Sequence, residues 1–444
     1  MPKLSELSAA ATLTGTEQVP VVQGGATVRT TVASIVAYGG GGSTPANGAK
    51  VITDYYNAAD GSDWGNARTA AHTAAGSGGK VVYPPRTGGY GFTAPWIPAA
   101  GMERQIVEGS HSPMYDWDNS AATQNAWVAL AGFTGAGMIH ISNPTNGRGC
   151  TIRNLAFVGL GDTTATLNGI DFGPASGGER SWMVEECQFM QFGAAALAGH
   201  MWVVDLRDSH ISRCGYGIRS ASGAAGAACA VFDNRWTGGM IYFTYHHAIA
   251  FDNTGTYQAG QIDISDMRIE RAGTTVGTTV DPNTNRDQDA YAIYANNVTA
   301  LQLGGISTDA CAGGALKFDA TSQGKVNNVI GSTLILKRDG TGDNATDTRA
   351  SVFCRATDYV DLGYKVTYGD PNDGGAGRTA PWRGFATAAN NWLQLRGSVQ
   401  METTGNGGPG NTQALAYSAI AGGAVNFQSY AQDPRYNAGA QFAL

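Results

Sequence analysis

A six-residue frame recurs along the middle of the chain, and no other feature limits the possible folds as tightly. Its form is apolar-x-(Asn/Asp/Glu)-x-x-apolar. It fits Ile152-Arg-Asn-Leu-Ala-Phe157, Val184-Glu-Glu-Cys-Gln-Phe189, Leu206-Arg-Asp-Ser-His-Ile211, Val231-Phe-Asp-Asn-Arg-Trp236 and Ile264-Ser-Asp-Met-Arg-Ile269. A sixth copy, Leu301-Gln-Leu-Gly-Gly-Ile306, keeps only the apolar ends. Glycine follows the second apolar residue by four at Gly161, Gly193, Gly215 and Gly273. The copies begin at residues 152, 184, 206, 231, 264 and 301, so the frame is constant while its separation is not. A solenoid produces this pattern, because each coil keeps its strands in register and varies only its loops. The frame therefore predicts a β-solenoid over about residues 80 to 365, with coils stacked about 4.8 Å apart.

Strand alternation gives the frame directions. The first apolar residue points inward, its neighbours point outward, and the third position begins a turn. Outward positions are then Met183, Glu185, Asp205, Arg207, Ala230, Phe232, Asp263 and Ser265; turn positions are Asn154, Glu186, Asp208, Asp233 and Asp266. Asn and Asp suit tight turns whatever the function, so the turn column is explained by structure alone.

Composition removes several function classes. Lys+Arg 28 against Asp+Glu 35 gives a net charge of −7, too mild for a nucleic-acid groove. No apolar run is long enough to span a membrane, and MPKLSELSAAATLTG lacks the order of a secretory signal, so synthesis and folding are expected in a cytoplasm. The six cysteines form no CxxC pair and read as buried free thiols rather than as a zinc site or disulfide framework. Asp339 to Asp347 lacks the order of a calcium loop, His246-His247 lacks further ligands at metal spacing, and no glycine-rich nucleotide loop occurs, so no metal or cofactor is expected. YFTYHH, Tyr242 to His247, reads as part of a projecting loop.

Residues 39 to 48, GGGGSTPANG, form a linker between a head (1 to 38) and a long body. The head holds two β-prone runs, VPVV and ATVRTTV, around Gly24-Gly25, and is too small to bury a core alone. After the linker, Asp63 is placed to cap a helix from Asn66 to Ala75, and KVVYPP reads as the strand that follows. The order ITDYYNAADGSDWGNARTAAHTAAGSGGKVVYPP is similar to the opening segment of the pectate-lyase-like superfamily, the right-handed parallel β-helices, especially bacteriophage tailspikes. The head, LSELSAAATLTGTEQVPVVQGGATVRTTVASI, resembles the virion-attachment segment of phage tail fibres and spikes. PPRTGGYGF departs from the shorter turn usual in that family.

The resemblance implies an all-β right-handed parallel β-helix that works as a homotrimer in the virion tail. It implies a host surface polysaccharide as target and a phage tail or baseplate protein as partner of residues 1 to 38. Within it, residues 49 to 365 form capping helix and solenoid, and 366 to 444 a β-structured trimerisation region.

Hydrolysis of a glycosidic bond needs one carboxyl to protonate the leaving oxygen and another to activate water or attack. Glu185 and Asp205 lie on consecutive copies, close enough for that pairing, and Asp208 completes the acidic group. Arg207, His210 and Arg235 are candidates for binding sugar hydroxyls or anionic groups, and Trp202, Tyr242 and Tyr245 for stacking on sugar rings. Trp182 is a further stacking candidate, whereas Trp236, at an inward position, belongs to the core. Two alternatives stay open: a lyase in which Arg207 or Arg235 neutralises a uronate while His210 or a tyrosine takes the proton, and a non-catalytic adhesin with the acids as salt-bridged scaffolding.

Overall fold

The strands that carry the frame bond not to each other but to their counterparts one coil away, always in parallel. The computed structural model describes residues 18–23, 26–31, 48–109, 126–143, 146–161, 166–173, 180–221, 231–252, 259–273, 287, 289–319, 326–337, 351–355, 357–368, 385–388, 392–401 and 424–429. Each coil visits three stacks in the same order, and parallel crossovers of this kind are right-handed. The first sheet holds Lys80–Tyr83, Ile106–Gly109, Thr151–Arg153, Trp182–Glu185, Val204–Arg207, Phe232–Thr237, Ala259–Ser265, Val298–Gly304 and Val326–Lys337. Beyond residue 365 its parallel pairing runs on through Val360–Tyr368, Trp392–Met401 and Ala424–Ser429. The second sheet runs from Tyr90–Phe92 to Ser307–Asp309, and the third from Gly137–His140 to Phe385–Ala388.

Three inward columns fill the prism. In the first sheet Ile152, Val184, Leu206, Trp236, Ile264 and Leu303 follow one another. In the second, Phe157, Phe189, Ile211, Ile241 and Ile269 do so, and the Phe157 and Phe189 rings stack at 4.9 Å. In the third, Ile170, Leu197, Ile218, Ile249, Ile293 and Leu316 align. All of these residues are buried, each contributing about 1.5–3 kcal/mol for an aliphatic or phenyl side chain taken out of water. Cys150, Cys187, Cys214, Cys311 and Cys354 are buried free thiols, as expected; Cys229 lies outside the described residues.

The first end of the prism is closed by α1 (Gly65–Ala75), which the Asp63 carboxylate begins by accepting from the Gly65 N–H at 2.8 Å. Its small face, Ala67, Ala71 and Ala75, is buried. Arg68 from this helix lies over the Phe92 ring, and His72 bonds Gln105 and stacks on Trp96. In the head, Gln18–Gln23 and Ala26–Thr31 pair antiparallel around Gly24-Gly25, matching the two β-prone runs.

First and second sheets meet at a sharp corner made by one left-handed residue per coil. Asn154, Glu186, Asp208 and Asp266 have φ of 56°, 50°, 43° and 53°, and Gly238 and Gly305 occupy the same place at 69° and 62°. Each corner N–H donates to a carbonyl one coil further on: Asn154 to Glu185, Glu186 to Arg207, Asp208 to Thr237, Gly238 to Ser265, Asp266 to Gly304. This corrects two copies of the frame. Trp236, not Val231, aligns with Leu206, and Leu303, not Leu301, aligns with Ile264. Asp233 is also left-handed, but it belongs to a separate column with Val203, Gln261 and Ala300 at the approach to the first sheet. Asn234 points inward, where it accepts from the Val204 N–H at 2.6 Å and donates to the Met201 carbonyl at 2.8 Å.

Corner geometry sets the cost of a side chain. A Cβ at Gly238 would meet the Asp208 carboxylate oxygen at 2.1 Å, a group that can swing aside; at Gly239, φ 76°, it would meet the Ser209 backbone carbonyl at 2.1 Å. Both substitutions by alanine add a left-handed penalty of about 1–2 kcal/mol. Urea unfolding should therefore show Gly239→Ala as more destabilising than Gly238→Ala, because backbone cannot rotate away.

Candidate functional site

The sequence-derived residues do not all gather in one place. Glu185, Asp205, Arg207 and Arg235 come together on the outer surface of the first sheet: Glu185 is in register with Arg207, and Asp205 with Arg235. Glu185 and Asp205 are diagonal neighbours on adjacent strands, with side chains about 7–8 Å apart at their bases. Arg207 donates to Asp205 at 2.9 Å, and further along this surface Arg153 pairs with Glu108 at 3.2 Å. The surface is thus a ladder of alternating charge. Asp208 is exposed at the corner, its carboxylate held over Gly238. His210 and Tyr242 lie on the outer surface of the second sheet, and burial lowers the His210 pKa against the opposing pull of Asp208. Trp202 is half-buried and bridges to Phe232 just before the first sheet.

Two readings of aromatic residues are corrected. Trp182 is buried in the core against Phe172 and Trp96, because it opens a strand whose alternate residues face inward. Tyr242 to Thr244 belong to the strand Met240–Thr244 rather than to a projecting loop; only Tyr245 to His247 turn the corner toward the third sheet.

That corner opens onto a denser cluster, which the frame did not reveal. Tyr216 and Tyr291 begin their third-sheet strands there, flanking His246 and His247. On the outer surface beyond, Arg219, Ala250, Tyr294, Lys317 and Phe353 follow one another across five strands. Asp252 and, two coils on, Asp319 with Arg355 lie further along the same strands. These residues converge because the third sheet carries outward side chains at a constant place on every coil, although their sequence separations differ.

Contacts order the cluster. His246 and the Asp287 carboxylate are 2.6 Å apart, and the Tyr216 ring lies 4.8 Å from the imidazole. The Tyr291 N–H donates to His247 Nδ1 at 2.8 Å, which places the proton of a neutral ring on Nε2. Burial pushes His247 down to about 3, Asp287 opposes, and Lys317, His246 and Arg219 push it further, so the ring is neutral at physiological pH. It stacks on Tyr294 at 4.6 Å. Burial first, then the Asp252 and Asp319 carboxylates, push the Tyr294 phenol up to about 12, so it remains a donor. Arg219 covers the Tyr216 ring and reaches Asp252 at 3.6 Å, while Asp319 accepts from Arg355 at 2.9 and 2.7 Å. Flat rings, neutral donors and carboxylates on one surface are the groups that hold a sugar, whose faces are apolar and whose rim is hydroxyl. Among the described residues no cluster of metal-ligating side chains occurs, and no helix is long and apolar enough to cross a membrane.

Burial alone would raise the Asp287 carboxyl, but hydrogen bonds from His246 and the Asp289 N–H hold it below the usual range. A depressed carboxylate contributes stability above its unfolded pKa and loses it as pH falls through the folded value. Thermal melts should show the wild-type chain more stable than Asp287→Asn at pH 7, with the gap closing as pH drops below about 4.

No family model matches the sequence, and no curated protein matches it. Solved structures do. Full-length tailspike protein 2 from a bacteriophage of Escherichia coli O157:H7 superposes with a TM-score of 0.54 at 14% identity, over 78% of this chain and 42% of that one. The enzymatically active domain of the same phage's tailspike protein 2 gives 0.52 at 14% identity, over 75% and 45%. A cysteine-to-alanine variant of DFA-IIIase from Arthrobacter chlorophenolicus A6 gives 0.52 at 12% identity, over 84% and 92%. The matched region spans less than half the length of the tailspike structures. The chain has the parallel β-helix fold that these tailspikes share.

Proposed function

We propose that the chain acts as a phage tailspike, in the virion tail, that binds a host cell-surface polysaccharide and hydrolyses it. The observation that carries this reading is the third-sheet cluster, where Tyr216, His246, His247 and Tyr294 meet Asp252 and Asp287. The parallel β-helix shared with tailspike structures supports the same reading, as do the head and opening segment of the sequence. In this proposal residues 1 to 38 attach to the tail or baseplate, the working unit is a homotrimer, and no cofactor takes part.

The chemistry assigned to the cluster follows from its partners. Asp252 and Asp287 both raise the pKa of the Tyr216 phenol after burial, so both lie within electrostatic reach of that one group. Asp287, held ionised by its hydrogen bonds, activates water for attack at the anomeric carbon. Asp252 is assigned as the second carboxyl of the pair, the donor to the leaving oxygen; its contact with Arg219, at 3.6 Å, is longer than a charge-assisted hydrogen bond. One proton of the attacking water goes to Asp287 and the other stays on the new anomeric hydroxyl; exchange with solvent then restores both carboxyls. Tyr216 and Tyr294 stack on or hydrogen-bond the flanking sugars.

Glu185 and Asp205, with Asp208 beside them, form a second candidate site, favoured by their shared outer surface and their diagonal register. There Asp205, bonded by Arg207, is the water-activating base and Glu185 the acid, with Arg207, Arg235 and His210 at its edge.

Purified protein incubated with host surface polysaccharide distinguishes the readings. Hydrolysis produces new reducing ends without unsaturated sugars. Asp252→Asn or Asp287→Asn is expected to lower that rate by about 10²–10⁴-fold, with Glu185→Gln near wild type. The reverse result moves the chemistry to the first sheet; unsaturated ends replace hydrolysis by elimination, and binding without cleavage leaves an adhesin.

A further inference from the structure

Among the described residues, three Lys and Arg side chains lie on the outer surface of the third sheet, and they are not treated alike. Arg219 faces Asp252 at 3.6 Å, and Arg355 is bound by both oxygens of Asp319. Lys317 is different. Among the described residues no carboxylate lies within ion-pair distance of its ammonium, which sits instead 5.4 Å from the Tyr291 ring centroid and 5.8 Å from those of Tyr294 and Phe353. Tyr294 and Phe353 are its register neighbours on either side. The residue is half-buried, its side chain lying on the outer surface of the sheet between two aromatic register neighbours. Aromatic faces hold an ammonium in place but offer no hydrogen-bond acceptor comparable to a carboxylate. An ammonium held against rings, with no carboxylate at ion-pair distance among the described residues, has donors to offer an incoming anion.

We infer that Lys317 receives the acidic group of a glycan, so that the third-sheet site is built for a polysaccharide bearing anionic sugars rather than a neutral one. The inference rests on the glycan-binding reading above and narrows its substrate class. The half-buried Tyr294 and Phe353 rings on either side of Lys317 supply the surface on which the acidic sugar lies, and its carboxylate or other anionic substituent accepts from Nζ. Without an ammonium at Lys317 the rings would hold neutral and acidic sugars with little discrimination. With it, a neutral sugar leaves the cation unpaired while an acidic one completes the pair.

Chemical reduction of a uronic acid to the neutral sugar removes only the charge and makes the test direct. The full chain is assayed by affinity electrophoresis against a panel of purified bacterial surface polysaccharides, neutral and uronate-bearing, each uronate-bearing member also in its carboxyl-reduced form. Retention is expected for uronate-bearing members, weakened at least tenfold by carboxyl reduction and by added salt. Lys317→Met should weaken binding to the native acidic form by a similar factor without changing affinity for the reduced form, and Lys317→Arg should restore most of it. A circular dichroism melt matching wild type confirms that the variant is folded. Equal retention of native and reduced glycan, or wild-type binding by folded Lys317→Met, overturns the anionic-substrate inference while leaving glycan binding intact. Retention of no member in either form overturns glycan binding and this inference with it.

Discussion

The hydrogen bond from a left-handed corner residue to the next coil is the contact on which the rest of the molecule depends. A residue held at φ near 50° turns the chain sharply from the first sheet into the second. The turn frees its N–H from its own coil, and that donor closes on a carbonyl one coil away, from Asn154 through Gly305. Every coil is thereby tied to its neighbour at a fixed height and rotation. Inward columns then align, aromatic rings stack, and outward residues repeat at constant places. A slip of one residue at a corner would exchange buried and exposed faces throughout the following strand.

That requirement explains which residues stand at the corner and why the frame was partly misaligned. Asn and Asp tolerate the left-handed region best after glycine, so Asn154, Asp208 and Asp266 mark corners legibly. Gly238 and Gly305 fill the same role, and each lies beneath the carboxylate of the preceding corner, Asp208 and Asp266 respectively. A frame that demands an acid or amide at the third position passes over both glycines. It settles instead on Asp233, whose own left-handed conformation serves another bend. The helix beginning near Asp63, the buried cysteines and the repeat itself were legible because they depend on local residue chemistry or on periodicity.

The candidate site was legible in a different measure. Alternation alone put Glu185, Asp205 and Arg207 on one outer surface, and the strands hold them there. The third-sheet cluster has no such signature. Its members come from five strands and from the corner before them, and their spacing follows loops of unequal length. The one available signal was the density of His and Tyr in YFTYHH and YAIYANN, together with the single lysine of GALKFD.

The sequence by itself determined that the chain would wind as a parallel solenoid and, for the copies beginning at 152, 184, 206 and 264, which residues point inward and which face each strand turns outward. These follow from the two-residue period of a strand and from the few residue types that turn a tight corner. Only the tertiary structure decided which outward residues become neighbours, because a solenoid brings together residues one coil apart whatever the loop between them. Lys317 illustrates the difference. In the chain it is a single lysine in an apolar run, and only stacking between Tyr294 and Phe353 surrounds its charge with rings, with no carboxylate at ion-pair distance among the described residues.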